Sequence, residues 1–600
     1  MRPLLLIAFL LSSFAGSAQF LSNNSTYSSS TSPVSPHDYE FRYVYNYVSG
    51  NDMLLYVPNE VEPTAGWPLI IWGHGDGERG NPVSAEVNIG TGNGSTTNFT
   101  GNATNTNDQI LHTSAQLQVA GVTVCTGSLG VFNCPGVVTG TYDYKDGSAS
   151  AINVTFTTAP ASGTISMEYI QSNSFDAGLP PILNAGDRPP KFIIAMPQIS
   201  AGTGGFIATD HWDAVLTKLD AEGYNIDLNR IMWSGLSLGA DGSNIICLSA
   251  AKTDEFAAFI AGATGSGSGI PGGGSARYAE AQAHGKWYIQ GSADGAGFIS
   301  APSVMANANS SDTDTNPIQS TLFWGLGHSG SLWDDQIFKR KDRTDQAGTA
   351  KFDYVNDWFR KFSLDAEQQA TFHVEYAEET LTTQDYRLAK IQVDALSAGA
   401  VKTALDARLT AVKSTIGPYY LIDFGNSART TSGANNITAG TSGTTLSNLI
   451  DDSGSASVYD IAITTQTAVT PSMPADIGSL RFKGQQHGLQ RNTNRDGMLI
   501  DAANTTGTLT LSSMNNSLTY TLKFYVGASN STFTARAEAE VIIGGVSKYQ
   551  YADLNNGPFD FIEFNGIAPS SGNISIGVRS RQTASTERDL YLIAMEIIPE

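Results

Sequence analysis

Cysteine is nearly absent from this chain, with three in 600 residues. That excludes a small fold framed by many disulfides. No Cys/His cluster has zinc spacing, and no cofactor is expected. Charge is scarce at 15% of residues, and positive charge is scarcest, with 34 Lys and Arg against 56 Asp and Glu. A net charge of −22 repels phosphate backbones, so nucleic acid is not an expected partner. Long apolar runs are missing too. Residues 4–11, behind Met1-Arg2, make a run about half the roughly 20 residues that a membrane helix needs. Followed by Gly16-Ser17-Ala18, that run reads as a signal peptide over residues 1–18, with Gln19 as the mature start. The expected protein is secreted or held at the cell surface, with no membrane span.

What is present is a chain rich in Gly, Ser, Thr and Asn, too long for one core. Strand-like segments at residues 41–48, 53–57 and 68–72 open it, after a loose leader at 20–37. Residues 81–176 then lose helical character. The alternation Val154-x-Phe156 and Ile165-x-Met167-x-Tyr169 marks a β-rich insertion. Strands and helices alternate again from residue 191 to 362, which implies a mostly parallel sheet covered on both faces. The reading is an α/β catalytic domain over residues 38–363, interrupted at 81–176. Helical runs at 383–396 and 400–414 suggest a helical spacer over 364–416. Short strands with turn signals over 417–600 suggest a β-sandwich. Cys125 and Cys134 flank a hairpin-like segment and are expected to form a disulfide, and Cys247 is expected to be a small buried apolar residue.

The chemistry is concentrated in residues 229–241. An apolar strand at 231–234 runs without a spacer into Gly235-Leu236-Ser237-Leu238-Gly239, and a helix follows. Strand, Gly-x-Ser-x-Gly, helix is the setting of a nucleophile elbow, where glycines on either side let the turn close. A serine hydroxyl needs a base, an acid to orient that base and donors for the oxyanion. Elbow enzymes supply these in the order Ser, acid, His. Downstream, Trp287-Tyr288-Ile289-Gln290-Gly291-Ser292-Ala293-Asp294 ends a strand in a carboxylate. Leu322-Phe323-Trp324-Gly325-Leu326-Gly327-His328 ends another in an imidazole. The expected triad is Ser237 as nucleophile, His328 as general base and then acid, and Asp294 as the group that fixes the imidazole. Asp241 or an acid within residues 310–314 are the alternatives for the third place. The expected oxyanion donors are the backbone N–H groups of Leu238 and of Asp76, in the loop after His74-Gly75. Trp212 and Trp333 are candidate substrate platforms, with the core as their other reading.

His74-Gly75-Asp76-Gly77-Glu78-Arg79-Gly80, Gly235-Leu236-Ser237-Leu238-Gly239, Gly291-Ser292-Ala293-Asp294 and Gly327-His328-Ser329-Gly330-Ser331-Leu332-Trp333 together resemble secreted α/β-hydrolases. The nearest group is the phospholipase/carboxylesterase and polyhydroxybutyrate-depolymerase-like esterases. The resemblance covers roughly residues 40–362 without the insertion. It implies an α/β-hydrolase fold and hydrolysis of carboxylic esters through an acyl-enzyme, without a metal. Two departures stand out: the insertion directly follows the Gly-Glu-Arg-Gly loop, and Asp294 is followed by Gly-Ala-Gly-Phe in place of an apolar-proline continuation. Leu421-Ile422-Asp423-Phe424-Gly425 and Asn435-Asn436-Ile437-Thr438 resemble β-sandwich modules attached to secreted Bacteroidota enzymes. The expected substrate is an ester carried on a polysaccharide, of acetyl or feruloyl type. A polyester depolymerase or a peptidase is the alternative on this scaffold. A non-catalytic carbohydrate-binding or adhesion protein is the alternative of another class, and the intact Ser, Asp, His order argues against it.

Overall fold

The structure is a computed structural model. It describes residues 19–21, 39–48, 51–58, 61–75, 83–92, 98–102, 110–119, 122–128, 131–134, 138–142, 145–146, 151–158, 163–172, 192–197, 209–247, 252–263, 285–291, 294, 316, 318–323, 327–328, 355–424, 434–437, 442–465, 498–500, 506–528, 538–551, 561–581 and 590–600. The chain divides into two compact units, Met1–Cys247 with Trp333–Lys339, and Leu248–Leu332 with Arg340–Glu600. Among the described residues no helix is long and apolar enough to cross a membrane.

In the first unit, β1 (Tyr39–Val48), β2 (Asn51–Pro58) and β4 (Ile193–Pro197) pair antiparallel. β3 (Trp67–Gly73) then pairs parallel with both β4 and β5 (Ile226–Leu236). Every residue of β3 and β4 is buried, as expected of continuous apolar runs in a sheet covered on both faces. Helix α1 (Thr209–Ala221) buries Trp212, Val215 and Leu219, a stripe at three- and four-residue spacing. The leader read as loose begins with a strand, Gln19–Leu21, which pairs antiparallel with Phe41 to Tyr43 of β1.

Between β3 and β4 the chain builds a separate antiparallel sheet. Its order is Val83–Gly92, Gly163–Ser172, Ile110–Val119, Val122–Ser128, Val131–Cys134, Val138–Tyr142, Ala151–Thr158 and Asn98–Asn102. Its first and last strands in sequence are direct partners, with Val83 opposite Gln171. Two of its strands turn on a short hairpin, with Ser128 opposite Val131 and Gly127 opposite Phe132.

In the second unit, β6 (Ala258–Gly262), β7 (Gly285–Gly291) and β8 (Ile318–Phe323) are consecutive parallel neighbours. Helix α3 (Val355–Arg360) packs on them through aromatic side chains, with the Trp358 ring 5.5 Å from Trp287. Phe362 lies so close to the start of β7 that a Cβ on Gly285 would sit 2.5 Å from its ring. Three helices follow where two were expected: α4 (Ala366–Thr380), α5 (Thr383–Ala395) and α6 (Ala400–Ile416). Asp365 caps α4 by accepting from the Gln368 N–H at 2.9 Å, and Thr382 caps α5 from Asp385 at 3.1 Å. The missed helix buries small residues, Ala370, Val374 and Ala377, so its apolar stripe is weak in the sequence. Its start was legible as Asp365-Ala366-Glu367-Gln368, an acidic N-cap followed three residues on by Gln.

The chain ends in two antiparallel-rich sheets. One is ordered Asn435–Asn436, Tyr420–Asp423, Leu590–Pro599, Tyr520–Ala528 and Phe561–Ile567. The other is ordered Thr445–Leu446, Asp460–Thr465, Gly507–Ser512, Ile574–Ser580, Glu538–Ile543 and Val546–Tyr551. Alternate residues such as Leu509, Leu511, Ile574, Ile576 and Val578 are buried with Ile422, Leu522 and Phe524 in one core. Burying each such side chain contributes roughly 1.5–3 kcal/mol. Gly544 and Gly545 form a two-residue hairpin turn at φ 58° and 80°, the left-handed pair that strand twist favours and glycine adopts without strain.

Candidate active site

The first unit supplies the elbow. β5 ends at Leu236, Ser237 is the turn, and α2 (Leu238–Cys247) begins at the next residue. Ser237 has φ 52°, in the left-handed region that costs a non-glycine residue roughly 1–2 kcal/mol. The turn is locked into the helix by the Asp241 N–H, which donates to the Ser237 carbonyl at 2.9 Å. Three glycines let the backbone close on itself. A Cβ on Gly239 would lie 2.0 Å from the Gly73 carbonyl oxygen, and one on Gly235 would lie 2.5 Å from the Gly239 carbonyl carbon. Gly235 and Gly239 are the two glycines of the Gly-x-Ser-x-Gly motif. Gly73, at the end of the neighbouring β3, is the third member, and its signal was a glycine directly after a fully apolar strand.

Leu238 is the first residue of α2, so its backbone N–H is one of the helix donors without a partner inside the helix. The positive end of the helix dipole adds to its pull on an anion. The half-buried Ser237 hydroxyl therefore stands beside an anion-stabilising helix start. His74, fully buried after β3, donates from Nδ1 to the Gly75 carbonyl at 2.7 Å, because a carbonyl can only accept. Asp76 and Trp333, and the alternative acids at 310–314, lie outside the described residues. Trp212 is fully buried and packs with its ring 6.4 Å from Trp233. Its indole is core and presents no face to a substrate, which corrects the platform reading.

The second unit supplies an acid–imidazole pair. β7 ends at Gly291, and the Asp294 N–H turns back to the Gly291 carbonyl at 3.3 Å. β8 ends at Phe323, and His328 follows five residues on. Because β7 and β8 are parallel neighbours, both residues leave the sheet at the same edge. His328 Nδ1 lies 3.1 Å from Asp294 Oδ2. The carboxylate is wholly buried, while the imidazole is 35% exposed. A carboxylate accepts, so Nδ1 carries the proton and Nε2 is left as the basic nitrogen. The structure thus brings together Asp294 and His328 in one unit and Ser237 and Leu238 in the other. Asp241, the alternative acid, sits half-buried in the first turn of α2. Among the described residues no group of three His, Cys, Asp or Glu side chains is placed to hold a metal ion.

Of the cysteines, Cys247 is a buried free thiol at the end of α2, and burial pushes its pKa well above the ordinary range. Cys125 is buried in Val122–Ser128, and Cys134 ends the adjacent Val131–Cys134.

No protein-family model matches the chain, and no curated protein does. Among solved structures it is similar to a thermostable esterase at 14% identity and TM-score 0.28, over 52% of this chain and 59% of that one. It is also similar to a ferulic acid esterase at 13% identity and TM-score 0.27, over 53% of this chain and 94% of that one. A third is the S954A mutant of the feruloyl esterase module from Clostridium thermocellum complexed with sinapinate, at 9% identity and TM-score 0.29, over 54% and 93%.

Proposed function

We propose that the chain is a secreted serine hydrolase that cleaves carboxylic esters through an acyl-enzyme. The observation that carries this reading is the left-handed backbone of Ser237 between a parallel strand and a helix N-terminus. Strain of that kind persists only where the surrounding packing enforces it, and it is concentrated at functional sites. The hydrogen-bonded Asp294–His328 pair supplies the matching base.

In this reading His328 Nε2 takes the Ser237 hydroxyl proton as Oγ bonds to the ester carbonyl carbon. The carbonyl oxygen becomes an oxyanion, received by the Leu238 N–H and, in the proposal, by the Asp76 N–H. The C–O bond to the alcohol breaks, and the imidazolium returns its proton to the leaving alkoxide. Water then repeats the sequence on the acyl-serine and releases the acid. Asp294 holds the imidazole in the Nδ1–H tautomer throughout and stabilises its charged form.

The favoured substrate is an ester carried on a polysaccharide, acetyl or feruloyl in type. Support comes from the export signal read at residues 1–18 and from the appended sheets over 417–600, proposed as a carbohydrate-targeting module. The insertion at 81–176 is proposed as an accessory to the catalytic domain. Within it a Cys125–Cys134 disulfide is proposed, since the Gly127–Phe132 register, carried two residues back, sets these positions opposite each other.

The test is hydrolysis of chromogenic acetyl, feruloyl and polyester substrates by wild type and Ser237→Ala. Ester turnover is expected in the first and lost in the second. Turnover that survives Ser237→Ala would sink the nucleophile assignment. Retention of full-length Ser237→Ala on insoluble xylan or cellulose tests the targeting module, and a protein that washes through removes it.

A further inference from the structure

The helices α4–α6 make side-chain-specific contacts to both of their neighbours within the second unit. On the strand side the key group is the Gln369 amide of α4, which is 4% exposed. Its Oε1 accepts from the Ser363 N–H at 3.2 Å. Its Nε2 donates to Asn316 Oδ1 and to Gln392 Oε1, both at 3.0 Å. Both of its N–H groups are therefore used on defined partners. Asn316 stands two residues before β8, the strand that leads to His328, and Gln392 lies on α5.

On the sandwich side, α5 presents Arg387. It pairs with Glu596 at 2.5 Å and donates to the Tyr525 hydroxyl at 3.2 Å. Tyr525 in turn donates to Glu596 at 3.0 Å, and Lys523 reaches Gln384 at 3.2 Å. Burial alone would push the Glu596 carboxyl up, but Arg387 and Lys523 outweigh it and hold the carboxyl below the usual range. A run of buried polar side chains thus leads from the strand Leu590–Pro599 through α5 and Gln369 to the start of β8. A layer that merely filled space would be apolar here, because each buried polar group left unpaired costs about 1–3 kcal/mol.

We propose that Gln369 is a positioning residue for the catalytic base. Its amide clamps the entry of β8 to the helices, and through α5 it holds the C-terminal sheets in fixed register with Asp294–His328. The inference rests on the serine-hydrolase reading. β8 is tied to β7 along one parallel ladder, and the Gln369–Asn316 bond adds a side-chain anchor two residues before β8 begins. A misplacement of about 1 Å at a reacting group can lower a rate by about 100-fold, so an anchor remote from the chemistry has kinetic weight.

The experiment uses the full chain and Gln369→Leu, which keeps volume and removes the hydrogen bonds. On a chromogenic acetate ester, kcat is expected to fall about tenfold or more, with KM changed less than about twofold. Hydrogen exchange is expected to rise over residues 318–323 and not over 574–580. Asn316→Leu should reproduce both effects in part or whole, and the double variant should be no worse than Gln369→Leu alone, since the Gln369–Asn316 bond is already lost in that variant. If Gln369→Leu does not fold, Asn316→Leu decides the question, because it leaves the bonds to Ser363 and Gln392 in place. A folded variant with unchanged kcat and unchanged exchange would overturn the proposal, as would single effects that multiply in the double variant. A wild type inactive on every ester would sink the hydrolase reading instead, and the exchange measurement would then decide the clamp alone.

Discussion

The elbow and the acid–imidazole pair are built by opposite means. Around Ser237 the chain closes where side chains are missing: Gly73, Gly235 and Gly239 bring three backbone segments within contact. Around Asp294 and His328 the strands are held from behind by large groups, the rings of Trp287, Trp358 and Phe362 and the amide of Gln369. Backbone against backbone has nowhere to yield. Rings and amides have rotamers, and they give way by degrees. In the proposed site, the placement of Ser237 should therefore fail all at once and that of His328 gradually.

Gly239→Ala is the largest expected effect. Its Cβ would stand 2.0 Å from the Gly73 carbonyl oxygen, so either β3 or the elbow must move. No folded protein with an intact elbow is expected, and a soluble variant of wild-type melting temperature would show that this backbone contact can yield. Asp294→Asn is next. It keeps the shape but offers an amide where the imidazole needs an acceptor, and kcat should drop by about 10⁴ with little change in folding. Activity within tenfold of wild type on an acetate ester would remove Asp294 from the role. Gly285→Ala should be graded. Its Cβ meets the Phe362 ring at 2.5 Å, and a ring can shift, so about 1–3 kcal/mol of stability should be lost with the fold kept. A denaturant midpoint that does not move would show that the ring relaxes freely.

The smallest effect is a slope with pH. His373 of α4 is buried against the Phe362 ring, its centroid 6.4 Å away. Burial, aided by the Lys361 charge, lowers its pKa from 6.5 to about 3. Between those values the unfolded chain binds a proton that the folded chain refuses. Stability should thus fall as pH drops below about 6.5, by at most about 1.4 kcal/mol per pH unit. His373→Leu should flatten that slope in urea titrations at pH 7 and pH 5. Equal slopes in both proteins would rule out His373 as the source.

Much of the strand–helix order was legible, because buried parallel strands such as Trp67–Gly73 are unbroken apolar runs. The elbow was legible because its glycines and serine are contiguous. Gly73 shows only as a glycine after an apolar run, since its need for a bare backbone arises from Gly239, far along the chain. Gln369 is not legible for the same reason: its partners Asn316 and Gln392 are 53 and 23 residues away, and a Gln on a weakly amphipathic helix carries no mark. Trp212 stays open between core and platform in the sequence, because aromatic residues read alike in both settings, and its full burial beside Trp233 places it in the core. Periodicity reports what a residue does within its own element, and it is silent on pairs made across the fold.

The sheet between β3 and β4 starts and finishes on adjacent strands. Its first and last strands are partners, with Val83 across from Gln171, so its two ends leave side by side. To the rest of the first unit it is therefore equivalent to a short loop, whatever its internal size. Loop-closure entropy depends on the gap to be bridged and only weakly on what fills it. A chain of this kind can acquire, enlarge or lose such a sheet between generations while the strands that frame Ser237 keep their places.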